Sequence, residues 1–336
     1  MSRIRASAPT RVDLAGGTLD LWPLSMLVDD AVTVNCALSV RTGCELELGG
    51  STWRFEPRGM LALELQRLPR RPEREVGAAF KLAAVVAAHF ELPPSRIMTW
   101  SDAAPGSGLG GSSSLIISLI AAAARATGST LTDAAAVELA CNLETRVLGL
   151  PAGSQDHWAA QCGGLAILEY RPDGVRRRAL PSTALSVAEC LVVADTLVEH
   201  HSGMNNWSVF KAVLERDAAA MAALGDVSTA ATAMADALLS EVAAPDLLGR
   251  AREALRAEWA ARRRLSSAVS SPEVERVIAA AEALGGAGKV CGAGGGGCVV
   301  CLPGEASGRA ALAAAISNVG AEVLDVRPSA TGVEVS

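Results

Sequence analysis

The chain has 336 residues, half of them hydrophobic but only 3% aromatic, and a net charge of −6. That length fits one large domain or two moderate ones, with Ala, Leu and Val filling most of the core. The acidic balance excludes the basic footprint of a nucleic-acid binder, and the apolar runs are too short to read as membrane spans, so neither partner is expected.

The first 60 residues alternate short apolar runs with Gly, Asp and Arg. They read as strands over 4–12, 31–40, 44–48 and 53–55, with Gly49-Gly50 turning between the last two. An Ala-rich helical pattern follows over 76–90. A glycine-rich loop then leads into a helix over 112–127, and a second helix runs from Asp133 to about Leu148 with Thr132 as its N-cap. Strands are expected over 162–170 and 190–198. Residues 208–284 are almost wholly helical in composition, with turns near Gly225 and Ala244-Pro245. The end alternates again: strand, glycine turn and strand over 289–302, a helix over 308–319 and a strand over 322–326. Strands first, helices in the middle and strands late give an α+β chain of two lobes, divided as 1–190 and 191–336.

Eight cysteines are scattered through apolar surroundings and read as reduced, mostly buried thiols of a cytoplasmic protein. Cys298 and Cys301 have metal-site spacing, but in a strand they point to opposite faces, and no second pair or nearby His completes a zinc site. Arg-rich stretches at 67–74 and 262–264 have acidic residues close by and read as solvated faces. The pair His200-His201 lacks a carboxylate or Cys at ligand spacing, so a metal reading there is weak.

The most informative stretch is Pro105-Gly-Ser-Gly108-Leu-Gly110-Gly-Ser-Ser-Ser114, followed at once by an apolar run. Glycines let a backbone approach a ligand closely, and the N-terminus of the helix that follows offers free N–H groups to an anion. A serine hydroxyl there suits Mg²⁺, which takes oxygen ligands. The loop is not a P-loop, because no Lys follows its glycines. The dinucleotide fingerprint is formally met by Gly106, Gly108 and Gly111, but Asp133, the acid nearest the required spacing, opens a helix. A plain flexible turn is the competing reading.

Two further glycine motifs flank this loop. Ala8-Pro-Thr-Arg11-Val-Asp13-Leu-Ala-Gly16-Gly17-Thr-Leu-Asp20 reads as a strand running into a turn with two carboxylates. Lys289-Val-Cys-Gly292-Ala-Gly-Gly-Gly-Gly297-Cys298 is a glycine cluster between apolar strands, dense enough to need a close backbone approach as its reason. In this order the three motifs resemble those of the GHMP kinase superfamily, across residues 3–302. Within it they look most like bacterial sugar kinases of the heptose-phosphate kinase and galactokinase type, which share the Gln155-Asp156 pair before a Gly-Gly turn and the Leu265-Ser-Ser and Ser271-Pro-Glu-Val274 runs.

The resemblance implies a ribosomal-protein-S5-like N-terminal lobe, a ferredoxin-like C-terminal lobe and an active site in the cleft between them. It implies ATP and Mg²⁺ as cofactors and a sugar or sugar phosphate as acceptor, with a homodimer left open. Pro105, Gly106, Ser107, Gly108, Leu109, Gly110, Gly111, Ser112 and Ser113 would bind the nucleotide, and Ser112 and Glu144 the metal. Asp156 would orient or deprotonate the acceptor hydroxyl, with Arg11 beside it to offset developing charge. Asp13, Gly17, Asp20, Gly294 and Gly295 would lie at the substrate. Gly111 stands where the family usually has Ser or Thr, and Asp13 where sugar kinases often have Asn or Ser. The alternatives are a mevalonate-pathway kinase of the same fold, and a catalytically silent sensor of ATP and sugar.

Overall fold

The computed structural model describes residues 3–198 and 202–336, and side chains except those of 202–206; the His200-His201 pair lies outside the described residues. The first sheet is organised by two long strands, β1 (Arg3–Ala15) and β2 (Val32–Leu48), antiparallel along most of their length. β1 sends Ala6 and Ala8 into one core cluster and, past a register irregularity between Pro9 and Arg11, Val12 and Leu14 into another, with Arg11 and Asp13 alternating against the latter pair. β2 was expected as two strands with a break near Gly43. It runs straight through, because Gly43 pairs with Trp100 and the indole fills the space a side chain would need.

β3 (Trp53–Pro57) and β4 (Leu63–Leu65) lead to the short α1 (Pro72–Glu75) and to α2 (Lys81–His89). β5 (Ser95–Ser101) then pairs with the C-terminal part of β2 on one side and parallel to β3 on the other. α3 (Gly111–Thr127) and α4 (Asp133–Leu148) follow, and Thr132 caps α4 as expected, its hydroxyl accepting from the Ala135 N–H. α5 (Gln155–Cys162) was not foreseen. It is only eight residues long and carries no strong apolar stripe, yet it holds Asp156 in its first turn. β6 (Leu165–Arg171) pairs with the N-terminal part of β2, and β7 (Gly174–Ala179) with β6. The inner face of this sheet is covered by α2, α3 and α4.

After α6 (Leu185–Glu189), β8 (Val192–Asp195) opens the second sheet. The helical middle comprises α7 (Ser202–Leu214), α8 (Ala218–Leu239), α9 (Ala244–Leu265) and α10 (Pro272–Ala283). The turn expected at Gly225 is absent: Gly225 lies inside α8, a helix long and apolar enough to cross a membrane that here packs along α9 and onto the first sheet. Pro245 does mark a break, in the first turn of α9. β9 (Ala287–Val290), β10 (Cys298–Leu302), α11 (Arg309–Asn318) and β11 (Glu322–Val323) complete the second sheet, in the order β11-β8-β10-β9 and antiparallel throughout. Val299 and Cys301 face α10 and α11, while Cys298 and Val300 face a core shared with Val12 and Leu14 of β1. The two cysteines therefore do point apart.

The split at residue 190 fails at the C-terminus. Beyond Val326 the chain returns to the first sheet: the Ser329 N–H donates to Ala37 O, and β12 (Glu334–Val335) pairs with β1. The shared core and this returning tail join the two sheets, and the glycine motifs meet where they face each other.

Candidate active site

The phosphate-type loop connects β5 to α3. Gly106, Gly108 and Gly110 all take positive φ, of 72°, 74° and 75°, and Gly110 is the N-cap of α3. The loop is held from the second lobe. The Cys298 N–H donates to Ser107 O at 2.8 Å, and a Cβ on Gly108 would stand 2.8 Å from Cys291 O. The two glycine motifs thus pack backbone against backbone, which explains their density better than flexibility does.

The three serines that open α3 point three ways. Ser112 is exposed and lines the adjoining cavity. Ser113, expected at the phosphates, spends its hydroxyl on Glu144 Oε2 at 2.7 Å. Ser114 donates to Ala8 O at 2.8 Å and accepts from Thr42, fixing the helix to the sheet. Gly111 has only ordinary contacts at the site of its missing side chain, the nearest being Ala103 Cβ at 3.7 Å.

Glu144 is buried, and His157 Nε2 lies 2.8 Å from its Oε2. Burial raises the Glu144 carboxyl, but hydrogen bonds from His157, Ser112 and Ser113 outweigh it and hold the group below its ordinary value. Burial likewise works against a charged His157; Cys141 and Glu144 overcome it and raise the imidazole well above its ordinary value. His157 is fully buried and orients Glu144 from beneath.

Asp156, in the first turn of α5, meets Arg11 of β1. Arg11 Nε donates to Asp156 Oδ1 at 2.7 Å, Nη2 lies 2.6 Å from the same oxygen, and Nη1 donates to Gly108 O at 2.6 Å. Arg11 is almost wholly buried and Asp156 partly exposed, so the pair shows its carboxylate to the cavity. Asp20 lies on the same wall and accepts from the Gln155 N–H at 3.2 Å. Burial, with Asp156 nearby, pushes its carboxyl up to about 6.

These groups surround one cavity of about 500 Å³, large enough for a nucleotide and a small acceptor. Its wall includes Arg11, Asp20, Ser112, Glu144 and Asp156. Four expected substrate residues do not line it. Asp13 is fully buried behind the wall, ion-paired with Lys289 and Arg262. Gly17 makes room for that cluster, since a Cβ there would overlap the Asp13 carboxylate and the Arg262 guanidinium. Gly294 and Gly295 are turned towards Val269, whose carbonyl accepts from the Gly295 N–H at 2.7 Å; Gly292 and Ala293 face the cavity instead.

Sequence reasoning missed Lys289, Glu258 and Arg262. Lys289 Nζ bonds the Asp13 carboxylate and reaches Glu258 Oε1 at 2.7 Å, while Arg262 Nη1 donates to the same Glu258 oxygen at 3.2 Å. The run 262–264 was expected on a solvated face. Arg263 and Arg264 are exposed, but Arg262 is 2% exposed, because α9 turns it inward to these carboxylates. A charge inside an Arg-rich helix end gives no local sign of this.

The family model for the GHMP kinases N terminal domain matches residues 77–164, and the GHMP kinases C terminal model matches 234–322. The chain belongs to the GHMP kinases. Among curated relatives, the D-glycero-alpha-D-manno-heptose 7-phosphate kinase of Campylobacter jejuni is 28% identical over 212 residues, which is 59% of this chain and 58% of the relative. A galactokinase of Mycobacterium bovis is 30% identical over 145 residues, 42% of this chain and 39% of that enzyme. The match thus spans less than two thirds of either relative. A solved D-glycero-D-manno-heptose 1-phosphate kinase from Bacteroides thetaiotaomicron superposes with a TM-score of 0.75 at 21% identity, over 99% of this chain and 98% of that one. The GHMP kinase fold therefore extends over the whole chain, including the returning tail.

Proposed function

We propose that this GHMP kinase transfers the γ-phosphoryl group of ATP to a hydroxyl of a sugar or sugar phosphate. One observation carries the reading: the Arg11–Asp156 pair stands against the phosphate-type loop, in the same cavity as Ser112 and Glu144. Both curated relatives above are named as kinases of a sugar or sugar phosphate.

The loop and the first turn of α3 would hold the phosphates through backbone N–H groups and the positive end of the helix. Ser112 and Glu144 offer one hydroxyl and one carboxylate, and no group of three or more His, Cys, Asp or Glu able to hold a metal occurs among the described residues. Two hard oxygen donors fit Mg²⁺, which completes its shell from phosphates and water. When bound, the ion would neutralise charge on the phosphates. Asp156 would accept the proton of the attacking hydroxyl as the new O–P bond forms and ADP leaves. Arg11 fixes the Asp156 carboxylate by two contacts to one oxygen, leaving Oδ2 for the acceptor.

A coupled ADP-release assay with Mg-ATP and a panel of galactose, mannose, fucose, glucuronate, heptose 7-phosphate, mevalonate and homoserine tests the reading, with Asp156→Ala as control. Turnover with a sugar or sugar phosphate, abolished in the variant, is the expected result. Turnover with mevalonate alone would overturn the acceptor class, and ATP binding with no turnover on any acceptor would favour the sensor.

A further inference from the structure

We infer that Arg262 touches the acceptor and, together with Asp20, reads neighbouring hydroxyls of a polyhydroxylated substrate. This rests on the phosphotransfer reading above and names the chemistry its acceptor must present. Among the described residues that line the cavity, the cations are Arg11 and Arg262. Arg11 is committed to Asp156 and Gly108. Arg262 arrives from α9 of the other lobe and stands beside Thr18 and Gly292, where the Asp20 carboxylate adds to the field on its guanidinium.

Its donors are unequally spent. Nη1 faces Glu258 Oε1 at 3.2 Å and Asp13 Oδ2 at 3.6 Å, and one hydrogen of Nη2 goes to Gly292 O at 2.7 Å. The other hydrogen of Nη2 reaches Thr18 Oγ1 only at 3.4 Å, a weak contact that a better-placed oxygen would replace. Lys289 shares the same two carboxylates, so two cations face two anions. Arg262 is therefore a directed donor on a neutralised wall. Asp20 is an acceptor that takes one backbone N–H. A hydroxyl both gives and receives a hydrogen bond, so a donor and an acceptor lining the same cavity suit a diol. A phosphate or carboxylate turned to this wall would have no proton for Asp20. The acceptor accordingly presents neutral hydroxyls here, whatever it carries elsewhere.

The test compares wild type with Arg262→Lys and Arg262→Gln in the full-length protein, reading KM for the best sugar of the panel, KM for ATP, and the same values for monodeoxy analogues of that sugar. The sugar KM should rise about 10- to 100-fold with the ATP KM unchanged, as expected for losing a hydrogen bond to a charged group. One deoxy analogue should be penalised in wild type and carry no further penalty in the variants. A sugar KM that does not move, sugar and ATP KM values that rise together, or penalties that add fully for every deoxy analogue would each overturn the inference. If wild type turns over no acceptor, the phosphotransfer reading fails separately. Calorimetric affinity of the panel sugars for wild type and Arg262→Lys then decides: weaker binding by the variant supports the contact, and equal or absent binding overturns it. If both variants fail to fold by circular dichroism, Thr18→Ser and Thr18→Ala take their place. Sugar KM altered by the alanine variant alone supports the contact, and equal values overturn it.

Discussion

Gly110 and Asp156 stand so close that no side chain fits between them: a Cβ on Gly110 would lie 2.8 Å from Asp156 Oδ2. The residue that starts α3, and so aims its N–H groups, is in direct contact with the proposed proton acceptor. Gly110→Ala should displace that carboxylate and strain a backbone with φ of 75°. We expect kcat to fall at least about 100-fold, since small misplacements of reacting groups are that costly, with the far-ultraviolet circular dichroism unchanged. Steady-state kinetics on the variant would show this, and near-normal kcat would refute it.

His157 orients Glu144 without reaching the cavity. His157→Phe keeps a ring in the buried space and removes one of the two partners of Glu144 Oε2, the imidazole nitrogen 2.8 Å away, leaving Ser113. By analogy with other outer-shell partners of metal ligands, the apparent Mg²⁺ affinity should drop about 10-fold. Titrating activity with Mg²⁺ at saturating ATP and sugar would read it directly.

Asp20 should make activity and stability respond oppositely to pH. Its folded carboxyl titrates near 6 instead of the ordinary 3.8. The folded state therefore binds the proton more tightly than the unfolded chain, and ionisation at neutral pH costs stability. That cost, on the order of 3 kcal/mol, is fully present above about pH 6, shrinks as pH falls towards 3.8 and is gone below it. Asp20→Asn should thus be more stable than wild type at pH 8, with the difference fading on acidification. In wild type, the KM for the sugar should rise as pH falls through 6, because a neutral carboxyl is a poorer acceptor. Thermal melts and sugar KM values at pH 5.5 and 8 would test both limbs.

Lys289→Met would leave Asp13 and Glu258 sharing Arg262 alone inside the core. Breaking a buried pair in this way typically costs about 3–5 kcal/mol. Adding Asp13→Asn should restore much of that loss, since it removes the carboxylate left without its lysine. Denaturant midpoints of the single and double variants would measure the recovery.

The folded chain kept what depends on near neighbours. The glycine-rich loop, the Thr132 cap, the alternation of β8 and β10 and the opposed Cys298 and Cys301 all follow from residues a few positions apart, and each is visible in the sequence. The order of the three glycine motifs also pointed to the family, because each motif is a local backbone requirement. Gly225 and Gly43 misled because a glycine permits a turn without requiring one: Gly225 stays helical inside α8 with open space beside it, and an indole from another strand fills the space at Gly43.

The sequence by itself determined most of the elements, though not α5 or the continuity of β2 and α8, together with the glycine-rich loop and the placement of Arg11 and Asp156 on motifs of known kind. Tertiary structure alone decided the fate of the charges. Asp13 meets a lysine 276 residues away, and Arg262 leaves an exposed basic run to reach Thr18 across 244 residues. Local patterning sets which residues can be buried. Whether a buried charge serves the substrate or a partner depends on which opposite charge the other lobe brings within a few ångströms, and no local pattern contains that distance.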